Sequence, residues 1–433
     1  MRWGITMKRM VGIMVCLVSG LALLWNYNGE HQDNFARKNE KEKKITLTVL
    51  AGQSTSDPGI EEMINHLIQE NCPEINLEWE CVGWGEQFSS AMRTKFAAGE
   101  VPDIMIGKAQ DVVAFAPSGN LAPLTGPYVS YVLDASLPAV TMDNKIYGLS
   151  YNAFYQGVIY NKDIFNQYGI QVPKTQDELK EVIKKLKDEN ITPFASNFQD
   201  IWSIGNMTMQ FAMNEVFNKY PNWGDLFREG KVSFLTSKEF RNCFEYNKEI
   251  YDATWEDAMA VNQSEADTRF ANGEAAMYLT GTWALQTINE INPNMNLGIF
   301  PYPNTEGDAK LIFEPNMTFM KSSKTQYSEE VDKVFELIFG SKELGTEIFN
   351  FTQTTSMLKD VGSTSPRLIG SDIEEYVKAN KVTDATIGNT QLIWDFQNDY
   401  SKEIRNWLQK KITIDEALKT ADMNKENSTS YTY

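Results

Sequence analysis

The stretch Ile45–Leu50 alternates β-branched and apolar side chains and stops at Ala51-Gly52, the pattern of a buried first strand. Ile60, Met63, Ile64 and Leu67 then recur at helical spacing on one face, and Cys72-Pro73 closes the segment. Ile75–Val82 predicts a second strand, Phe88–Ala98 a second helix stopped by Gly99, and Val101–Ile106 a short apolar strand suited to the middle of a parallel sheet. Strand, helix, strand, helix, strand is how a doubly wound α/β unit begins.

Further along, Gly157–Tyr160 predicts another strand, after which helix signals dominate. Thr175 and Glu178 form a capping box, in which hydroxyl and carboxylate each satisfy an amide left unpaired at a helix start. Leu179, Val182, Ile183 and Leu186 supply the buried stripe of that helix. Thr236/Glu239 and Thr413/Glu416 repeat the device. The chain shows no internal repeat, and Asn424–Tyr433 reads as a frayed end.

The N-terminus departs from this pattern. Lys8 and Arg9 precede an uncharged run, Met10–Trp25, which is the layout of an export signal. At about 1.5 Å per helical residue the run reaches about 24 Å, short of a usual membrane span of about 20 residues. Residues 1–25 are therefore expected to be a signal peptide or anchor, with Gly20 and Ala22 as small residues before a cleavage point. The charge-rich residues 26–44 are expected to be a flexible tether.

At 433 residues the chain exceeds one ordinary core, which favours two lobes. Beyond residue 44 it carries 32 Lys and Arg against 54 Asp and Glu, a balance that repels phosphate backbones and argues against nucleic acid. Histidine occurs only as His31 and His66, so Ser-His-Asp catalysis, Cys-His catalysis and histidine-rich metal sites fall away. Neither a phosphate loop nor a dinucleotide fingerprint is present, and no cofactor is expected. A carboxylate-pair hydrolase survives this inventory, because acids are plentiful. Cys16 lies inside the leader; Cys72 and Cys81 either pair across the helix-to-strand connection or serve, like Cys243, as small buried side chains.

These segments contain a series of motifs: Phe96-Ala-Ala-Gly-Glu-Val-Pro-Asp-Ile104, Lys145-Ile-Tyr-Gly148, and Tyr160-Asn-Lys-Asp-Ile-Phe165 followed by Gly169-Ile170 and Pro173-Lys-Thr175. Ile191-Thr-Pro-Phe194, Phe270-Ala-Asn-Gly-Glu-Ala-Ala-Met277 and Gly281-Thr-Trp283 continue it. In order and spacing the series resembles the family 1 extracellular solute-binding proteins, the group that includes maltose-binding protein, over about residues 45–420. The resemblance implies a two-lobe α/β fold of the type II periplasmic-binding-protein kind, with doubly wound sheets and a hinge crossed three times. Crossings are expected near Ser150–Tyr155, Phe300–Pro303 and Phe351–Ser356. The N-terminal lobe would then hold 45–150 and 304–352, the C-terminal lobe 156–299 and 356–420, with a tail at 421–433.

The resemblance further implies a monomer, exported to the outer face of the cell membrane or the periplasm, that captures a carbohydrate between its lobes and passes it to the permease subunits of an ABC importer. A glycoside hydrolase and a sugar-sensing receptor domain are the competing readings. Relatives from single-membrane bacteria carry a lipid-accepting cysteine after small residues, whereas Cys16 follows Ile13-Met14-Val15; anchoring by an uncleaved leader and release after cleavage both stay open.

A sugar presents hydroxyls that donate and accept, together with apolar C–H faces, so its site needs amides or carboxylates combined with flat rings. Candidates for ligand contact are Gln53 after the first strand, Gln110 and Asp111 after Ile106, and Phe154 and Tyr155 beside the first crossing. Asp200 and Trp202 in the other lobe's loop, Trp283 as the family's stacking position, and Trp394 in a late helix complete the main set. Trp84 and Glu314 are weaker members, Asp103 is expected to brace its loop, and Arg367 is as well suited to a surface ion pair as to a ligand hydroxyl.

Overall fold

In a computed structural model of the chain, residues 44–52, 59–352, 354–361, 369–386, 392 and 394–428 are described. The expected leader and nearly all of the tether, together with Cys16, Gln53 and Arg367, lie outside them.

The opening follows the periodicity closely. Strand β1 (Ile45–Gly52), helix α1 (Ile60–Asn71), strand β2 (Ile75–Val82), helix α2 (Glu86–Ala98) and strand β3 (Ile104–Gly107) succeed one another, and β1 pairs in parallel with both β2 and β3. Helix α3 (Ala109–Phe115) starts directly off β3. Then comes β4 (Leu149–Asn161), thirteen residues long and begun eight residues before the expected Gly157. Helix α4 (Gln176–Asp188) carries the expected capping box at Thr175 and Glu178. Strand β5 (Phe194–Ala195), helix α5 (Ile201–Ala212), helix α6 (Lys238–Tyr251), helix α7 (Gln263–Ala271) and strands β6 (Met277–Gly281) and β7 (Leu297–Phe300) build the central part. The chain returns on β8 (Leu311–Ser322) and ends with helices α8 (Ser328–Gly340), α9 (Lys342–Thr352), α10 (Trp394–Leu408) and α11 (Ile414–Met423), the short strand β9 (Thr355–Ser356) lying between α9 and α10.

Among the described residues these strands join in one curled sheet with the main order β2-β1-β3-β8-β4-β6-β5, while Thr141–Met142 and Lys145–Ile146 form a separate two-stranded ribbon. The two long strands β4 and β8 pair antiparallel at its centre, from Ile312↔Gln156 to Phe319↔Leu149. The buried apolar residues sort into four clusters about this sheet. Two contain residues 47–151 and 317–361, on opposite faces of β1, β3 and the end of β8; two contain 155–312 and 369–421, on opposite faces of β4 and β6. Helices therefore cover both faces of each half, the three-layer arrangement that parallel strands require. The halves meet where β4 and β8 pass from one pair of clusters to the other, between Tyr151 and Tyr155 and between Phe313 and Met317.

Along β4 the packing changes between Tyr151 and Tyr155, and the packing around the other two expected crossings differs from the sequence reading. Phe300 and Tyr302 belong to the C-terminal core, Tyr302 packing on Phe211 with ring centroids 4.5 Å apart, so the return comes on β8 rather than at Phe300–Pro303. Met317, at the end of that passage, has φ of 48°, a left-handed backbone unusual for a buried non-glycine residue. Leu358 and Val361 still pack in the N-terminal core and Ile369 is the first residue back in the other, so the last crossing lies beyond Phe351–Ser356. Apolar runs alone could not separate a strand that ends in one core from one that passes between two.

Other expectations also shift. The helix after Thr236 is capped by Ser237, whose Oγ accepts from the Phe240 amide at 3.2 Å, while Thr236 bonds Ser233. The tail is tied down further than expected: Ala421 is buried and the Asp422 carboxylate accepts the amides of Phe234 and Leu235 at 2.7 and 3.1 Å. Cys72 and Cys243 are buried, Cys81 is exposed, and all three are free, so the alternative in which Cys72 and Cys81 pair is not realised. Asp103 does brace its surroundings, accepting from Thr48 N, Thr48 Oγ1 and Thr325 Oγ1 at 2.6–2.9 Å.

Candidate functional site

Side chains alternate along a strand, so the paired register of β4 and β8 gives each central segment two faces. One face carries Ser150, Asn152, Phe154 and Gln156 opposite Thr318, Asn316, Glu314 and Ile312; the other carries Tyr151, Ala153 and Tyr155 with Phe313, Pro315 and Phe319. The first is a polar stripe, almost entirely buried, in the middle of the molecule.

Glu314 anchors the stripe. Its side chain is 1% exposed and receives Lys108 Nζ at 2.7 Å, Gln110 Nε2 at 3.3 Å and Gln156 Nε2. Lys108 and Gln110 stand at the start of α3, delivered by the C-terminal end of β3. From Gln156 the network continues into the other half: Asn206 Nδ2 donates to Gln156 Oε1 at 3.0 Å, and Gln210 Nε2 donates to Asn206 Oδ1 at 2.9 Å. Buried polar groups are nearly always paired. Yet Gln110 Oε1, Asn152 Oδ1, Asn316 Oδ1 and Gln210 Oε1 are buried on this network or beside it with no partner among the described residues, as is Trp283 Nε1.

The rings stand around this stripe. Phe154 and Trp283 meet edge to face with centroids 5.4 Å apart at 86°. Trp283 lies over Gly281 at the end of β6, where an added Cβ would come within 2.1 Å of the indole. Trp84 lies in the same way over Gly52 at the end of β1, at 2.5 Å. Two candidate tryptophans thus lie against glycines that close strands, where any other residue would push the ring away.

The remaining candidates are placed differently. Tyr155 points to the opposite face, packs on Phe313 with centroids 5.4 Å apart, and has its hydroxyl pushed up to about 12 by burial. It is a core residue. Asp111 is 2% exposed and closes the N-terminus of α3, accepting from Lys108 N at 2.8 Å and Ser89 Oγ at 3.0 Å. Burial pushes its carboxyl up to about 6 against the pull of those two bonds. Asp200 holds its own loop, accepting from Asn197 Nδ2 at 3.0 Å and the Gln263 amide at 2.8 Å. Trp202 is 37% exposed and stands four and eight residues before Asn206 and Gln210 on α5, so the three share one helix face, running from the surface to the polar stripe. Trp394 opens α10.

The structure therefore brings Gln110, Phe154, Trp283 and Glu314 together, sets Trp202 in line with them, and gives Tyr155 and Asp111 internal roles. Sequence reasoning missed Asn152, Gln156, Asn206, Gln210 and Asn316. The available signal was the alternation of polar and aromatic residues in Ser150-Tyr-Asn-Ala-Phe-Tyr-Gln156, a strand pattern with one polar face.

Comparison with known proteins agrees with this architecture. "Multiple sugar-binding protein" of Streptococcus mutans is 24% identical over 312 residues, covering 68% of this chain and 70% of its own. "Melibiose/raffinose/stachyose-binding protein MelE" of Bacillus subtilis is 24% identical over 272 residues, covering 60% of this chain and 62% of its own. Among solved structures, a "Chitin oligosaccharide binding protein" superposes with a TM-score of 0.75 at 20% identity, over 89% of this chain and 99% of that one. RafE in complex with raffinose superposes with a TM-score of 0.72 at 19% identity, over 88% and 98%. These matches show the two-lobe fold, and among the described residues no helix is long and apolar enough to cross a membrane. The profile described as "Bacterial extracellular solute-binding protein" matches residues 51–343, and with the two halves, the crossing strands and the buried polar stripe now in view, the chain belongs to that family.

Proposed function

We propose that the chain captures a carbohydrate between its two halves, on the polar face of β4 and β8, and delivers it to an ABC importer. The observation that carries this reading is the set of unpartnered buried oxygens on or beside one network, next to the Phe154–Trp283 ring pair. A buried acceptor left without a partner costs about 1–3 kcal/mol, so several gathered in one place call for a guest that supplies hydrogen bonds. A sugar does so with its hydroxyls while its C–H face lies on an indole. Relatives named for sugars support the same ligand class. Closure of the halves about the crossing strands would exclude water from these contacts. The protein acts outside the membrane, held there or released through its N-terminus, as a monomer that presents the closed form to the permease subunits.

Isothermal titration against neutral mono- and oligosaccharides tests the reading, with thermal unfolding alongside. A ligand at 100 times its Kd should add about 2.7 kcal/mol to stability. Small-angle scattering should show compaction, and chromatography should return the sugar intact. Absence of any sugar-dependent heat or stabilisation would overturn the carbohydrate assignment, and released product would replace it with hydrolysis.

A further inference from the structure

The amides around Glu314 all point one way. An ionised carboxylate accepts hydrogen bonds and donates none, so every amide that meets it must turn its NH2 inward. Gln110 and Gln156 do so, with Lys108 as the third donor. For Gln156 this fixes Oε1 as the atom that faces Asn206, which must then offer Nδ2; Asn206 Oδ1 in turn faces Gln210, which offers Nε2 to it and, at 3.5 Å, to the carbonyl of Thr280. Both arms finish on a carbonyl oxygen without a partner among the described residues, Gln110 Oε1 on one side and Gln210 Oε1 on the other. Asn152 Oδ1 and Asn316 Oδ1, an opposed pair on the same strands, add two more acceptors, and Asn152 has its Nδ2 committed to Thr354 Oγ1 at 3.0 Å.

We propose that Glu314 is a positioning residue that sets the polarity of the cleft: by orienting two arms of amides it presents carbonyl oxygens to the ligand, so the deepest sugar hydroxyls are read as donors. The inference rests on the carbohydrate reading and deepens it. Glu314 itself, 1% exposed and already holding three donors, does not touch the sugar. A neutral ring suits such a floor, and a uronate, whose carboxylate would face carbonyl oxygens, does not.

Two arms of one experiment test this. In the first, each hydroxyl of the best neutral ligand is replaced in turn by fluorine, which cannot donate. Wild-type protein should lose at least about 10-fold in affinity for one or more of these analogues, the loss expected when a buried acceptor goes unpaired. The double variant Lys108→Met/Glu314→Gln removes the carboxylate without stranding the lysine and frees the amides to turn; its preference for hydroxyl over fluorine should shrink to about threefold or less. Gln110→Met leaves the Lys108–Glu314 pair intact and should weaken binding of the parent sugar while the far-ultraviolet circular dichroism stays unchanged. Equal binding of hydroxyl and fluoro sugars by wild type, or full discrimination retained by the double variant, overturns the proposal. In the second arm, a neutron structure of the ligand-free, deuterated protein should show the amide deuterons of Gln110 and Gln156 directed at Glu314. Reversed amides overturn the proposal even if sugars bind; correctly oriented amides in a protein that binds no sugar uphold the polarity and defeat the carbohydrate reading instead.

Discussion

On one face of the crossing strands Tyr151 packs edge-on against Phe339 and Tyr155 lies tilted against Phe313; on the other, a few ångströms away through the same backbone, the buried Oδ1 atoms of Asn152 and Asn316 have no hydrogen-bond partner among the described residues. The apolar face carries the contacts that join each strand to the cores, and its side chains are committed whether or not a ligand is present. The polar face is largely buried too, but several of its oxygens lack a hydrogen-bond partner among the described residues. On the proposed reading, stability rests on one side of the two strands and recognition on the other, and variants on each side should separate the two properties.

The largest effect is expected from Tyr151→Ala on the apolar face, which removes a ring 2% exposed and lying 5.5 Å from Phe339 and 6.0 Å from Phe319. Urea unfolding should show a loss of about 3–5 kcal/mol; a loss under about 1 kcal/mol would mean that this face does not hold the strands. Next comes a buried acid away from these strands. Burial pushes the Asp267 carboxyl up to about 7, more than the Tyr278 hydroxyl beside it pulls back, and Asp200 raises it further. Because its folded pKa lies above the unfolded one, the native state keeps its proton longer. Its burial thus costs stability as pH rises from about 4 to 7, and the cost is fully present above that range. Asp267→Asn should be more stable than wild type at pH 8 by roughly 2 kcal/mol and no more stable near pH 4, read from denaturation curves across pH. A gap that does not change with pH would remove burial as the cause.

Asn316→Ala reverses the pattern of Tyr151→Ala. Since its Oδ1 has no partner among the described residues, ligand-free stability should change by less than about 1 kcal/mol, while titration should show sugar affinity reduced about 10-fold. Equal effects on both quantities would erase the division between the faces. Thr175→Ala, far from either face, removes the capping hydroxyl from the Glu178 amide and should cost about 0.5–1 kcal/mol with binding unchanged.

The same division explains what could be read from the chain. Strand β2, helix α1 and the capping boxes at Thr175 and Thr413 stand out because each rests on a local rule: a period of two, a period of 3.6, or a hydroxyl three residues before a carboxylate. Gly157–Tyr160 is recognisable as strand because it is apolar throughout, whereas Leu149–Gln156, equally strand, places polar residues at buried positions. Local pattern rules assign buried positions to apolar side chains, so a strand that buries polar residues goes unmarked by them. Trp283 is conspicuous by type and motif, Glu314 only weakly so. Asn316 and Gln210 are ordinary amides until the fold sets one opposite Asn152 and the other at the end of a chain of hydrogen bonds that starts at Glu314.

A crystal structure of the protein with its tightest neutral oligosaccharide tests the central claim most directly. It should show a sugar ring against Trp283, with hydroxyls within 2.5–3.0 Å of Gln110 Oε1 and Asn316 Oδ1 and no direct contact to Glu314. A sugar bound away from β4 and β8, with ordered water on these oxygens in its place, would contradict it.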